Sequence, residues 1–186
     1  MYIIEHLEQK VWKWCIIEYK HISQMVGKEN LWVTNLKNGN SIKSYAKVFP
    51  APVKDIHLKN ACLLDPAAPK KLTPKEAAKF DYFIFGGILG DYPPQQRTKE
   101  LLTPFVKAEP RNIGKKQFST DNAVAVVKLI REGTPLEKIS FQQDIEIPMG
   151  KNESLILPYL YVLDNKSNKP LISSELIKYL KKKKGF

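Results

Sequence analysis

The sequence contains few of the residues that metal centres and covalent catalysis require. Two cysteines, Cys15 and Cys62, and three histidines occur among 186 residues. The cysteines form no CxxC pair and stand in apolar runs, which indicates structural thiols in an intracellular protein. The histidines form no HxxxH pattern, so neither residue type has the spacing of a zinc site. A G-x-S-x-G elbow and a P-loop are also missing. Metal and nucleophile catalysis are therefore poorly supported.

Long apolar runs are missing as well. No segment approaches the roughly 20 apolar residues that are needed to span a bilayer. The opening stretch MYIIEHLEQKVWKW carries a charge within five residues, which is unlike a signal sequence. We therefore expect a cytoplasmic protein that does not contact a membrane.

Acidic residues are outnumbered by basic ones. Thirty Lys and Arg against 19 Asp and Glu give a formal net charge of +11. A charge of this sign and size favours RNA, the ribosome or another acidic surface as a partner. The alternative is a basic soluble protein without a polyanionic partner. The lysine run at 181–184 is more typical of a solubilising tail than of a binding element.

Apolar periodicity predicts strands that alternate with helices from residue 2 to residue 132. Strands are predicted at YIIEHL (2–7), LWVTNL (31–36), ACLLDP (61–66), YFIFGG (82–87) and within FVKAEPRNIG (105–114). Helices are predicted at 9–26, 72–80 and 119–133, with a helical turn at 96–102, and 40–59 is a short helix or an irregular crossing. This alternation predicts an α/β domain with a mainly parallel sheet and helices on both faces. Beyond residue 133, two strand-like segments (139–147 and 154–163) precede a terminal helix at 173–184.

Three of the predicted strands end in candidate ligand loops. In parallel sheets, ligands bind at the carboxyl ends of the strands, and here these ends are followed by residues 64–66, 86–91 and 109–114. The middle loop, FGGILGD, is rich in glycine, which lets a ligand approach the main chain closely. Its GGxxG spacing differs from the GxGxxG of a dinucleotide site. The alternative is that the glycines simply end a strand.

Four stretches carry a resemblance to a known family. LLDP, FDYFIFGGILGDYPPQQRTKELL, RNIGKKQFSTDNAVAVVKLI and LPYLYV resemble the knotted SPOUT-class methyltransferases. More closely, they resemble the SPOUT protein-arginine methyltransferases, whose eukaryotic branch methylates an arginine of a small-subunit ribosomal protein. The opening YIIEHLE…W…IEYKHI is similar to the same family, so the resemblance covers nearly the whole chain. The tRNA purine-9 methyltransferases are similar over a narrower stretch.

The resemblance implies a single SPOUT domain over residues 1–186. Its parts would be an N-terminal βαβ part (1–59), a knotted cofactor-binding part (60–133) and a C-terminal extension (134–186). In this family the C-terminal part of the sheet is threaded into a trefoil knot. The helix at 119–133 is apolar on nearly every side, which agrees with a helix tucked into a knot. The extension covers the usual dimer face, which favours a monomer over a homodimer.

The resemblance also implies that the glycine loop binds S-adenosyl-L-methionine. The residues expected to bind this cofactor lie in the three loops and at the start of the last predicted helix of the knot. They are Leu64, Asp65, Pro66, Gly86, Gly87, Ile88, Leu89, Gly90, Asn112, Ile113, Gly114, Ser119, Thr120, Asp121 and Asn122. Ser119 or Thr120 is expected to cap the helix, and Asp121 to suit the positive end of its dipole.

Methylation of arginine requires acidic residues near the transferred methyl group. The guanidinium is a poor nucleophile because its pKa exceeds about 12, so carboxylates must orient it and receive its proton. The candidates are Asp91, Glu109, Glu5 and Glu8. Asp91 is the first of these, since it follows the last glycine of the loop. A guanine-modifying enzyme would also need an acid there, so a SPOUT tRNA or rRNA base methyltransferase remains an alternative. A second alternative is a non-catalytic relative that binds RNA or the ribosome.

Overall fold

A computed structural model gives the structure of this chain, and it describes residues 1–87 and 98–183. Six strands form one sheet: β1 (Tyr2–Glu5), β2 (Leu31–Thr34), β3 (Lys47–Val48), β4 (Ala61–Leu64), β5 (Tyr82–Gly86) and β6 (Glu109–Arg111). Their order is β3-β2-β1-β5-β4-β6, and every pairing in this sheet is parallel. The predicted parallel sheet is therefore confirmed. The trefoil knot stays a prediction.

Three helices accompany the sheet: α1 (Lys13–Val26), α2 (Pro74–Ala77) and α3 (Thr120–Arg131). Helix α1 begins later than the predicted residue 9, because the chain first leaves β1 through an irregular segment. Trp12 occupies the N-cap position, and no side chain makes a capping hydrogen bond there. It ends at Gly27, where φ is +82°, as the sequence predicts. Helix α2 is shorter than predicted, although Thr73 Oγ1 accepts the Glu76 N–H at its start. No helix in the two described ranges is long and apolar enough to cross a membrane.

The two faces of the sheet are covered differently. One face, with Tyr2, Ile4 and Phe83 among its core residues, packs against α1, α2 and α3. The other face, with Ile3 and Ile84, packs against single turns at Val53–Asp55 and Thr98–Leu102. Long helices are thus observed on one face, and in the described ranges short turns replace them on the other. Gly39, Pro50 and Pro52 explain part of this difference, because these residues interrupt helices in the 35–60 connection.

The C-terminal segment forms a second, smaller layer. Strands β7 (Phe141–Gly150) and β8 (Glu153–Val162) pair as an antiparallel hairpin, and helix α4 (Ser174–Lys183) follows. Their apolar residues form a cluster that includes Ile17 of α1. The amide of Asn122 at the start of α3 fixes the hairpin: its oxygen accepts the Val162 N–H at 2.8 Å, and its nitrogen donates to Leu171 O at 2.9 Å.

Gly86 shows how closely the second face is packed. A Cβ atom built on Gly86 would lie 2.5 Å from Thr98 Oγ1 and 2.9 Å from Leu102 Cδ1. Both distances are shorter than a non-bonded contact allows. The residue must therefore be glycine for the turn at Thr98–Leu102 to pack on β5.

We expect Gly86→Ala to lower the free energy of unfolding by about 1–3 kcal/mol, the usual cost of an overpacked site. The second variant, Gly86→Ala with Thr98→Ala, removes the closest atom and should recover part of the loss. Urea unfolding of the two single variants and the double variant measures this coupling. If the two single effects simply add, Thr98 is not the group that excludes a side chain at position 86.

Candidate functional site

The three predicted ligand loops begin at one edge of the sheet. They follow β4, β5 and β6, which are neighbours in the order β5-β4-β6, so the carboxyl ends of these strands meet at one edge of the sheet. Hydrogen bonds connect the loops after β4 and β6: the Asp65 N–H donates to Arg111 O at 3.0 Å, and Asn112 Nδ2 donates to Ala68 O at 2.8 Å. The structure thus brings two separate predicted segments into one surface.

The loop after β4 is shaped by a buried carboxylate. Asp65 Oδ1 accepts the Ala67 N–H at 2.8 Å, and Oδ2 accepts the Thr103 hydroxyl at 2.8 Å. Leu64 is buried as well, whereas Pro66 is exposed. Both oxygens of Asp65 are therefore engaged by the protein, and the side chain stabilises the loop conformation rather than presenting a free charge.

The glycine loop begins with two glycines that differ in their surroundings. Gly87 has φ of +83°, and the nearest atom to a Cβ built there is Leu7 Cδ1 at 3.7 Å. Its N–H donates to Glu5 O at 3.0 Å, which ties the loop to β1. Packing against neighbouring side chains thus explains Gly86, whereas at Gly87 the positive φ is the feature that favours glycine. The predicted residues Ile88, Leu89, Gly90 and Asp91 lie outside the described residues.

The loop after β6 is closed by a buried amide. Asn112 Oδ1 accepts the Gly114 N–H at 3.1 Å while its nitrogen bonds to the β4 loop. Ile113 is buried in the core. Gly114 has φ of +108°, and no atom of the described residues lies within 4 Å of a Cβ built on it. This loop therefore offers a glycine that no described side chain approaches closely.

The start of α3 is a buried polar cluster that reaches the glycine loop. Ser119, Thr120, Asp121 and Asn122 are all buried, and Thr120 Oγ1 donates to Gly87 O at 3.3 Å. Ser119 stands at the cap position, as predicted, but it makes no capping bond. Its hydroxyl donates instead to Asp121 Oδ1 at 2.6 Å, and the Asn122 N–H donates to the same oxygen at 2.8 Å.

Two residues of α1 that the sequence analysis did not select join this cluster. His21 Nδ1 lies 2.8 Å from Asp121 Oδ2. Glu18 is 1% exposed, and its Oε2 has no hydrogen-bond partner within the described part of the chain. Burial, and then the charge of Asp121, hold the pKa of Glu18 well above its ordinary value. A sequence signal existed, because Glu18 interrupts the apolar stripe formed by Cys15, Tyr19 and Ile22.

His6 is a further missed residue, at the carboxyl end of β1. It is 2% exposed, and its Nδ1 lies 2.8 Å from the Tyr19 hydroxyl. Burial lowers the pKa of His6, against the opposing charge of Glu8, so the imidazole is neutral at physiological pH. It follows Glu5, the residue whose carbonyl holds Gly87, and thus lies beside the glycine loop.

The predicted catalytic carboxylates that the structure describes have different surroundings. Glu5 is buried beside Gly86 in the sheet register. Its Oε2 accepts the Thr34 hydroxyl and, at 2.9 Å, the Val53 N–H, and burial raises its pKa. Glu8 is half-buried in the segment after β1. Glu5 is therefore fixed by the hydroxyl of Thr34 and the backbone of Val53.

The carboxylate of Glu109 forms an ion pair with an arginine of its own strand. It is exposed at the first position of the edge strand β6, and its Oε2 accepts from Arg111 Nη2 at 2.7 Å. Arg111 also pairs with Glu76 of α2 at 2.6 Å. The carboxylate of Glu109 therefore helps to fix the edge strand against α2, and this contact does not support the catalytic role predicted for it.

We expect Glu18→Gln to become more stabilising as the pH rises. The folded protein holds the proton of Glu18 because its pKa is raised, whereas the unfolded chain releases it near the ordinary value of 4.5. Wild-type stability therefore falls as the pH rises above this value, by up to about 1.4 kcal/mol per pH unit for one proton. Glutamine removes this cost. Urea unfolding between about pH 5 and pH 8 measures the difference.

The exposed Glu29 provides the matched control, since Glu29→Gln should show no such pH-dependent gain. A difference between Glu18→Gln and wild type that stays constant with pH would show that Glu18 is ionised in the folded protein.

Comparison with known proteins identifies the family. The model of a family described as protein arginine N-methyltransferase SFM1-like matches residues 1–185. The chain is 38% identical over 201 residues to the protein arginine N-methyltransferase SFM1 of Saccharomyces cerevisiae, covering 97% of this chain and 94% of that protein. The crystal structure of yeast SFM1 complexed with SAM has a TM-score of 0.86 at 37% identity, covering 98% of this chain and 90% of that one.

A more distant similarity supports the fold alone. A crystal structure of Trm10 from Thermococcus kodakaraensis has a TM-score of 0.56 at 19% identity, covering 74% of this chain and 95% of that one. The sheet and the loops at its carboxyl edge thus have the architecture that the resemblance to SPOUT-class methyltransferases implies. Together with the match over residues 1–185, these findings show that the chain belongs to the SFM1-like family of protein arginine N-methyltransferases.

Proposed function

We propose that this protein is an S-adenosyl-L-methionine-dependent protein arginine N-methyltransferase and that its substrate is an arginine of a ribosomal protein. One observation carries the proposal: in a member of the SFM1-like family, the start of α3 bonds to the left-handed Gly87 at the end of β5, and the strands before the other two candidate loops, β4 and β6, follow β5 in the sheet order. The ribosomal substrate is supported by the resemblance of the sequence and by the net charge of +11, which favours an acidic particle as partner.

The residues present fit S-adenosyl-L-methionine. At Gly87 φ is +83° and a Cβ built on the residue would make an ordinary contact of 3.7 Å with Leu7 Cδ1; at Gly114 no atom of the described residues lies within 4 Å of a built Cβ. The absence of a side chain at both positions lets a flat ligand reach backbone N–H and C=O groups. The proposed binding residues are Leu64–Pro66, Gly86–Gly90, Asn112–Gly114 and Ser119–Asn122. Yeast SFM1 has been crystallised with the same cofactor.

The chemistry divides between the cofactor and the chain. When bound, S-adenosyl-L-methionine supplies a methyl group that its sulfonium already activates. The protein must hold an arginine nitrogen in line with this group and receive one proton. We assign the guanidinium clamp to Asp91, where a carboxylate forms charge-assisted hydrogen bonds. Glu8 is the second candidate, since it follows β1, the strand whose Glu5 carbonyl accepts the Gly87 N–H. Glu5 and Glu109 accept hydrogen bonds from protein donors.

The buried groups beside the glycine loop hold the site in shape. Thr120 fixes the carbonyl of Gly87, and Glu5 O fixes its N–H. The neutral His6 and the buried start of α3 keep this side of the loop free of water. A site that is arranged before the substrate binds loses less entropy when the substrate is positioned.

We expect Gly87→Val to weaken binding of S-adenosylhomocysteine about tenfold or more. The side chain would enter the space beside the loop, and a β-branched residue at a φ of +83° is also strained. Gly133→Val is the matched control, because Gly133 has φ of +99° and no neighbouring atom within 4 Å, but it lies at the end of α3. Calorimetry should show lost binding for Gly87→Val only. Equal losses in both folded variants would contradict the placement of the cofactor.

We expect labelled methyl groups to enter a ribosomal protein when the enzyme is incubated with ribosomal particles from cells that lack it. Protein and RNA are separated after the reaction, and acid hydrolysis identifies the modified amino acid. Asp91→Asn should bind S-adenosylhomocysteine normally but lose turnover by ~10²-fold, the usual effect of losing a positioned acid or base. Label in RNA would overturn the assigned substrate. Parallel loss of binding and turnover would make Asp91 a binding residue.

A further inference from the structure

A basic cavity lies at the outer strand of the sheet, away from the site described above. It has a volume of about 500 Å³ and is lined by Lys28, Glu29, Lys43, Ala46, Lys47 and Val48. All three lysines are exposed. None of them takes part in an ion pair within residues 1–87 and 98–183. Three cations therefore share one concave surface with a single carboxylate.

Electrostatics make this cavity a place for an anion. Like charges that converge on one concave surface repel one another, and the repulsion is relieved when an anion binds between them. A cleft lined mainly by one sign of charge also concentrates the field and attracts ligands of the opposite sign. Since Glu29 offsets one lysine only, the cavity retains a positive excess.

Aromatic rings continue the surface beyond the cavity. The rings of Trp32 and Phe49 lie 4.7 Å apart between centroids, and those of Trp32 and Tyr82 lie 5.6 Å apart. Lys47 connects the two features, because it lines the cavity and its Nζ lies 5.1 Å from the Trp32 ring and 5.0 Å from the Phe49 ring. All three aromatic side chains are half-buried, so each leaves part of its surface open.

A second contact between a lysine and an aromatic ring lies near the turn at Val53–Asp55. Lys54 Nζ is 5.7 Å from the ring of Phe105, which is 59% exposed. Val53 packs in the apolar cluster of the second sheet face, together with the half-buried Trp32 and Tyr82. Two sets of lysine–aromatic contacts are thus found, one at Lys47 and one at Lys54.

We propose that the β3 edge binds single-stranded RNA. Phosphates would lie against Lys28, Lys43 and Lys47, and bases would stack on the rings of Trp32, Phe49 and Tyr82. Lysines that follow a backbone and aromatic rings that stack bases are the two elements with which proteins hold single strands. An acidic peptide would use the lysines but would not need the rings. The choice of RNA over DNA rests on the proposed ribosomal substrate.

The surface is separate from the proposed cofactor site. Strand β3 is at the opposite end of the sheet from β6, and two strands stand between β3 and β5. With adjacent strands about 4.8 Å apart, β3 lies roughly 14 Å from β5 and farther from β4 and β6. Tyr82 belongs to β5 but opens this strand, whereas Gly86 closes it, about 13 Å away at roughly 3.3 Å per residue. Changes at the β3 edge should therefore leave methylation of a short peptide unchanged.

The test compares two triple variants of the full chain. Lys28→Glu/Lys43→Glu/Lys47→Glu changes the cavity. Lys75→Glu/Lys138→Glu/Lys178→Glu changes three exposed lysines elsewhere and alters the net charge by the same amount. Fluorescence anisotropy with a labelled single-stranded RNA measures affinity from low to moderate salt. The cavity variant should bind about tenfold or more weakly, and its slope of log affinity against log salt should fall by about 2, as for three lost phosphate contacts. The control should bind within about threefold of wild type.

Phe49→Leu tests whether bases stack on the aromatic rings, since it keeps an apolar side chain but removes a ring. Affinity for RNA should fall about fivefold or more. An unchanged affinity would overturn the assignment of the rings. Equal losses of RNA affinity in the two triple variants would show that binding depends only on the net charge of the protein, and this would overturn the proposal. Tighter binding of DNA or of an acidic peptide than of RNA would overturn it as well. Peptide methylation is measured in parallel, so a failure of the proposed function appears in the wild type, independently of RNA binding.

Discussion

A buried carboxylate at the start of α3 connects the parts of this molecule that form the site. Asp121 is 1% exposed, and a charge in this position is tolerated only because donors surround it. Ser119, the Asn122 backbone and His21 of α1 supply them. The positive end of the α3 dipole adds to the stabilisation. Since Asn122 also holds the C-terminal hairpin and Thr120 holds Gly87, this one cluster joins α1, the glycine loop and the hairpin.

Two neighbouring glycines show that the same residue type can be required for different reasons. At Gly86 a side chain would meet Thr98 and Leu102 at less than 3 Å, so protein packing excludes it. At Gly87 the backbone is left-handed, and the nearest atom of the described residues to a built Cβ, Leu7 Cδ1, lies at an ordinary contact distance of 3.7 Å. Backbone conformation rather than steric exclusion therefore favours glycine at the second position. A glycine pair in a sequence cannot distinguish these cases, because the distinction depends on a turn that follows more than ten residues later.

The sequence predicts features that depend on residues close together in the chain. It does not predict contacts between residues that are far apart in the chain. Alternating apolar segments predicted a parallel sheet, and the adjacency of the three loops followed from it. The ion pair between Arg111 and Glu76 joins residues 35 positions apart, so no local pattern marked Glu76 as a partner of Arg111, although Glu109 lies only two positions from it. The bond between His21 and Asp121 spans 100 positions, and the histidine was counted as isolated for that reason. Glu18 differs from these cases, because a carboxylate within an apolar helical stripe is a pattern that the sequence itself shows.

The positions of the charged residues bear on how a basic protein can bind a basic substrate. A protein with a net charge of +11 repels a cationic side chain that approaches it, yet the proposed substrate is an arginine. The repulsion decays with a Debye length of about 10 Å at 0.1 M salt, so lysines at the β3 edge, roughly 14 Å from β5, act on the site only weakly. The carboxyls of Glu5 and Asp121 and the neutral imidazole of His6 lie near the glycine loop. Placing the lysines of the β3 edge away from these groups would let one small domain attract a polyanionic particle and still accept a cation from it.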